Sequence, residues 1–258
     1  MMDLLATPRL GVVVPPENPT AEPEFNRLVG ERMNVYSSRF PVTPGKGLLE
    51  MLEAWNEALP DTLAGFGAMG LDAAVVACSA SHYLLAPEGD RAFCEELSDR
   101  AGYPVRSSTQ AILTACAWLG VERLTLVSPY EPWLTETSAG FWRAAGLTVD
   151  EALLVPAREG HFDPYEVTTA AILERVRGAR LAEGTALLFT GTGMGTLAAL
   201  EELGRDDGDR VLLTSNLASA WWALRTAGAG GDPAGGHPLL ARLERRAAAV
   251  AVRSGAAV

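Results

Sequence analysis

"RLGVVVP", residues 9–15, is the stretch on which the fold turns. Leu10, Val12, Val13 and Val14 run on without an alternating polar residue, the pattern of a strand covered on both faces rather than one with a wet side. Such a strand belongs in a parallel sheet flanked by helices. Further candidate strands lie at 34–42, 72–78, 103–107, 123–129, 147–156, 185–191 and 210–216. Helix-length amphipathic segments separate them, at 45–70, 87–102, 108–120, 131–146, 163–180 and 196–204, with two more at 218–228 and 237–252. Pro60 is expected to break or kink the first of these helices, and "AGAGGDPAGG" (227–236) reads as a Gly-rich loop between the last two. Strand and helix in alternation predict an α/β fold of about nine strands in parallel sheets with crossover helices.

Composition narrows the function. The 258 residues carry 48% hydrophobic and 21% charged side chains and a net charge of -11. That excess of acid argues against nucleic-acid or anionic-membrane partners, which need clustered Lys and Arg. No apolar run reaches the roughly 18 residues of a membrane span, and no signal pattern opens the chain, so a cytoplasmic location is expected. Cys78, Cys94 and Cys116 form an odd, unclustered set, and His82, His161 and His237 are scattered. Neither a disulfide framework nor a metal site is expected from such spacing.

An internal echo suggests two similar halves. "VVACSAS" (75–81) and "LLFTGTGMG" (187–195) each place small and hydroxyl residues directly after a buried strand. In open parallel sheets ligands bind beyond the carboxyl ends of the strands, so both turns are sited for chemistry. Cys78 would lie near the N-terminus of a helix, where unpaired N–H groups and the dipole favour a thiolate of lowered pKa. The bland alternative is a small core residue, the reading that also fits Cys94 and Cys116 on their helices. "TGTGMGT" (190–196) lacks the spacing of a nucleotide-binding loop. Its glycines let the backbone approach a small ligand, or else simply make a tight turn. Asn18, in the rigid loop "VPPENPT" (14–20), and Tyr130, in "SPYEP" (128–132), are candidate carboxylate contacts, each with an ordinary capping or packing alternative. Trp133, Trp221 and Trp222 could shape an aromatic cleft, although a Trp pair on an apolar helix is commonly core.

Taken in order, "VPPENPT", "YSSR", "VVACSAS", "SPY", "GHFDP" and "LLFTGTGM" resemble the aspartate/glutamate racemase superfamily, in its maleate cis-trans isomerase and arylmalonate decarboxylase branch. The resemblance runs from about Leu10 to Thr226. It implies two Rossmann-like (flavodoxin-like) halves facing one cleft, here 1–115 with 217–258 carrying Cys78, and 116–216 carrying Thr192. It further implies no metal or organic cofactor, a small carboxylate substrate and a homo-oligomer. Cys78 matches the first-half cysteine of the family. Asn18 matches a carboxylate-holding asparagine and Tyr130 a tyrosine near the substrate. Ser79, Ala80, Gly191, Gly193 and Met194 would complete the substrate-binding surface.

Thr192 falls where the second cysteine of the family is expected. An alcohol is too weakly acidic to exchange protons near neutral pH without an activating neighbour. A symmetric two-cysteine racemase is therefore disfavoured. The expectation is a cofactor-independent, cysteine-dependent isomerase of small (di)carboxylic acids, with Cys78 and Thr192 as the catalytic candidates. The alternatives are an arylmalonate-type decarboxylase with Cys78 as proton donor, and a non-catalytic carboxylate-binding protein.

Overall fold

Eight strands form among the described residues of the computed structural model, which covers residues 4–230 and 236–254. They are β1 (Arg9–Val14), β2 (Asn34–Arg39), β3 (Ala73–Val76), β4 (Val105–Ser107), β5 (Arg123–Ser128), β6 (Thr148–Leu154), β7 (Ala186–Phe189) and β8 (Leu212–Thr214). The expected count of about nine was one too many. The strands make two four-stranded sheets, ordered β2-β1-β3-β4 and β6-β5-β7-β8, and every pairing is parallel. The two orders are the same walk repeated. In each, the chain reverses its direction across the sheet between the first and third strands, which is where doubly wound sheets bind ligands.

The inner strands β1, β3, β5 and β7 are almost wholly buried. The outer strands β2 and β6 keep exposed positions, as edges do. The continuous Val and Leu runs are thus explained by their central places, covered on both faces.

Ten α-helices accompany the sheets among the described residues: α1 (Ala21–Val29), α2 (Leu48–Ala64), α3 (Ser79–Tyr83), α4 (Ala86–Ala101), α5 (Ser108–Leu119), α6 (Pro132–Ala144), α7 (Thr169–Arg177), α8 (Leu197–Asp206), α9 (Ser215–Thr226) and α10 (Pro238–Ser254). Several start on the side chain that ends the preceding strand or loop. Ser107 Oγ accepts from Gln110 N at the head of α5, Thr168 Oγ1 from Ala171 N at α7, and Thr214 Oγ1 from Leu217 N at α9. These caps satisfy N–H groups that the helix itself leaves unpaired. None of the helices is long and apolar enough to cross a membrane, among the described residues.

Three expectations change. Helix α2 continues through Pro60 instead of ending there: buried Leu59, Thr62 and Leu63 pack on both sides of the proline and hold the turn. Residues 163–168 are not helical, because Asp163 Oδ1 accepts from Tyr165 N in a local turn and Thr168 begins α7 later. Strand β3 stops at Val76, so Cys78 is the residue capping the one-turn helix α3. Part of the Gly-rich loop, 231–235, lies outside the described residues.

Trp221 and Trp222 are buried on α9, where Trp221 packs edge-on to Trp118 at 4.9 Å. They are core, and Trp133 is 41% exposed. The tryptophan that reaches the cleft is Trp55 of α2.

Candidate active site

The loops that follow β1, β3, β5 and β7 carry Asn18, Cys78, Tyr130 and Thr192 respectively. All four therefore lie at the two reversal points; Cys78, Tyr130 and Thr192 face one cavity of about 210 Å³, whereas Asn18 does not line it. Cys78, Ser79, Ala80, Tyr130, Thr192 and Gly193 line it. Its remaining wall is largely apolar, built by Leu48, Met51, Leu52 and Trp55 of α2 with Leu134 and Phe162. A larger recess of about 350 Å³ lies at the opposite, amino ends of β5 and β7. Of its arginines, Arg123 pairs with Asp150, Arg210 with Asp207, and Arg246 donates to the Asp209 carbonyl, and it contains none of the candidate residues.

Cys78 is 4% exposed. Burial pushes its thiol pKa up, and hydrogen bonds from Ser81 (side chain and backbone) and from the Ala80 backbone act in the other direction without reversing it. This corrects the expectation of a lowered value: desolvation outweighs the N–H groups at the short helix. The resting group is a neutral thiol. Ser79 Oγ lies 2.9 Å from Ser108 Oγ and 3.0 Å from Ser215 Oγ, so the first residues of α3, α5 and α9 meet in a buried chain of hydroxyls.

The Thr192 hydroxyl is fully engaged. It donates to the Ala77 carbonyl at 2.7 Å and accepts from Asn18 Nδ2 at 3.2 Å. Asn18 in turn accepts from Thr20 N and Ala21 N through Oδ1, opening α1 as an Asx-type cap. Asn18 thus braces Thr192 beneath the cavity. Met194 is fully buried and lies outside the cavity wall. Gly191 also lies outside the wall, under Tyr130: it has φ +86°, and a Cβ there would meet the Tyr130 hydroxyl at 2.3 Å. Gly191→Ala is expected to lose about 1–2 kcal/mol of stability from the left-handed backbone and to displace Tyr130. A thermal melt paired with the turnover assay described below checks both.

Two features escaped the sequence reading. Tyr165, assigned to a helix, lines the cavity with its ring against Gly193. Glu24 of α1 is 3% exposed and accepts from Thr196 N at 2.7 Å and Leu197 N at 3.1 Å, the head of α8, and from Asn216 Nδ2 at 2.8 Å. Asn216 Nδ2 also lies 3.1 Å from the Thr192 carbonyl. Burial raises the Glu24 pKa against the pull of these donors. The signal for Glu24 was available: Ala21, Glu24, Phe25 and Leu28 recur at the spacing of one helix face, and all are buried.

Fold and site together define a doubled α/β protein with a single thiol, from the first sheet, in a cavity closed by a loop of the second. A model of the arylmalonate decarboxylase family matches residues 10–240, and the chain belongs to that family. No curated protein matches the sequence. Among solved structures, the chain is similar to a cysteine-to-serine mutant of maleate cis-trans isomerase from Nocardia farcinica with a covalently bound succinylcysteine intermediate. The TM-score is 0.77 at 24% identity, over 92% of this chain and 99% of that one. It is similar to a cysteine-to-alanine variant of maleate isomerase from Pseudomonas putida S16 with maleate (TM-score 0.78, 21% identity, 91% and 98% covered). A third is a liganded arylmalonate decarboxylase with glycine changed to cysteine and cysteine to serine (TM-score 0.76, 24% identity, 92% and 98% covered).

Proposed function

We propose that the protein is a cofactor-independent isomerase of small unsaturated dicarboxylic acids, of the maleate cis-trans type, with Cys78 as its one reacting group. The observation that carries this reading is the thiol of Cys78 sharing a cavity with Thr192 rather than with a second cysteine. In the reaction, the Cys78 thiol adds across the double bond: Sγ bonds to one alkene carbon and the thiol's own proton is taken up at the other. The double bond becomes single and rotates. The proton then returns to sulfur as the Sγ–C bond breaks, and the alkene re-forms with its geometry changed and the thiol restored. Nothing in that sequence requires a second thiol. The Nocardia isomerase mutant supports the first half of it alone: it carries a succinylcysteine adduct with one cysteine changed to serine, so the Sγ–C bond forms there without that thiol. Ser79 and Ala80, at the start of α3, are the N–H donors best sited for the substrate carboxylate, where they stabilise charge as it develops.

A second reading, decarboxylation of a substituted malonate, is favoured by two observations. Burial keeps Cys78 in the protonated form that a proton donor needs. The apolar wall of α2 strips water from a carboxylate placed against it, which favours loss of CO₂. Here Cys78 would protonate the enediolate left behind. With either reading go the division at 1–115 with 217–258 and 116–216, a cytoplasmic homo-oligomer, and no need for a metal or organic cofactor.

The test is proton NMR in deuterated water with maleate, arylmalonates, hydantoins and aspartate. Appearance of fumarate from maleate is the expected result. Monoacid from arylmalonate supports the decarboxylase, and no turnover with retained binding of malonate supports a carboxylate-binding protein.

A further inference from the structure

We infer that Tyr165 is the protic group that the second sheet's loops present to the substrate, donating its phenol hydrogen to the carboxylate oxygen on which negative charge gathers. The inference rests on the reading above that this cavity works on a small carboxylic acid. Both proposed reactions put charge on such an oxygen, so both need a donor there.

Thr192, the residue at the expected second-cysteine position, is not that donor. Its only hydroxyl hydrogen goes to the Ala77 carbonyl at 2.7 Å. Tyr165 stands beside it. A Cβ at Gly193 would lie 2.4 Å from Tyr165 Cε1 and 2.6 Å from Cδ1, so the absence of a side chain at Gly193 is what lets the ring lie on the loop. The Asp163 Oδ1 bond to Tyr165 N, at 2.8 Å, fixes the turn that delivers it. The Tyr165 hydroxyl has no hydrogen-bond partner among the described residues. Burial raises its pKa, with the charges of Cys78, Glu17 and Asp163 adding to the effect and Arg39 opposing it. The phenol therefore stays an O–H donor, within electrostatic reach of Cys78.

The two glycines of "TGTGMG" then have parallel uses. Gly191 makes room for Tyr130 and Gly193 for Tyr165. A loop expected to carry a thiol instead carries two phenols by leaving space for them.

The experiment compares wild type, Tyr165→Phe and Cys78→Ala on the NMR panel, with a thermal melt of each. Tyr165→Phe is expected to fold normally and to lose about 100-fold in kcat, the usual cost of one such donor, with KM changed by less than about fivefold. Gly193→Ala, which pushes the ring aside, is the second variant and is expected to fall in parallel. If wild type turns over, Cys78→Ala is inactive and Tyr165→Phe keeps kcat within about threefold, the role of Tyr165 is overturned and the functional reading stands. If wild type turns over none of the panel, the functional reading fails and the inference fails with it.

Discussion

Cys78→Ala is expected to abolish turnover while leaving the fold in place. Proton transfer by a positioned side chain is worth roughly 10²–10⁴-fold, and the thiol is the sole sulfur in the cavity wall among the described residues apart from the thioether of Met51. Initial rates by NMR are expected to drop at least about 10³-fold. The melt should move little, because removing one buried sulfur costs about 1 kcal/mol. The contrast with the other two cysteines makes the result specific. Cys94 and Cys116 have pKa values pushed up to about 12, mainly by burial, and neither lines the cavity. Their alanine variants should keep turnover. An active Cys78→Ala would remove both the isomerase and the decarboxylase readings.

The largest stability effect is expected from Asp90→Asn. Asp90 is fully buried on α4. It accepts from Ser107 Oγ at 2.9 Å, Thr109 Oγ1 at 2.5 Å and Gln110 Nε2 at 3.1 Å, and pairs with His82 Nδ1 at 2.7 Å. One carboxylate thus ties α4 to the head of α5 and to α3, the helix that Cys78 caps. Burial alone would raise its pKa, but the hydrogen bond and charge of His82, with Thr109 and Ser107, hold it below the usual carboxylate value. The amide puts an N–H₂ where Oδ2 accepted from three donors, and removes the negative charge beside buried His82. Breaking a buried pair costs about 3–5 kcal/mol, or roughly 10 °C in Tm for a chain of this size.

The pH dependence has a definite sign. A carboxyl whose folded pKa is depressed adds stability above its unfolded value of about 3.9, and that stability is lost as pH falls through the folded value. Wild type should therefore weaken below about pH 4. Asp90→Asn should lack that part of the slope. Urea titrations of the two proteins at several acidic pH values check it.

Much of the fold was legible because buried central strands write themselves as unbroken apolar runs. β1, β3 and β7 read that way, and β5 does so but for Thr125. Cys78 and Thr192 were legible as residues just past such runs. Tyr165 was not, because "FDPYEVTTAAILERVR" (162–177) has helical composition throughout and the Asx turn at Asp163 that holds it out of α7 depends on one side-chain bond. Asp90 and Glu24 were missed for a shared reason. Acidic residues on amphipathic helices are normally solvated, so their place on the buried face, Asp90 with Cys94 and Leu97 and Glu24 with Phe25 and Leu28, was the clue that needed weighing. The direction of the Cys78 pKa could not be had from position alone, since it depends on how completely the surrounding chain excludes water.

The Glu24 carboxylate has a consequence for how substrate gets in. It belongs to a helix of the first sheet and holds the head of a helix of the second, while Thr192 reaches back to Ala77 and Asn18. Swinging the two sheets apart would strand a buried carboxyl group and a row of unpaired amides, each costing about 1–3 kcal/mol or more. The floor of the slot is riveted and its gauge is fixed. Passage is left to the rim, where Leu48 and Leu49 at the start of α2 are 41% and 47% exposed. The protein works as a fixed slot with a greased lip rather than as a pair of jaws.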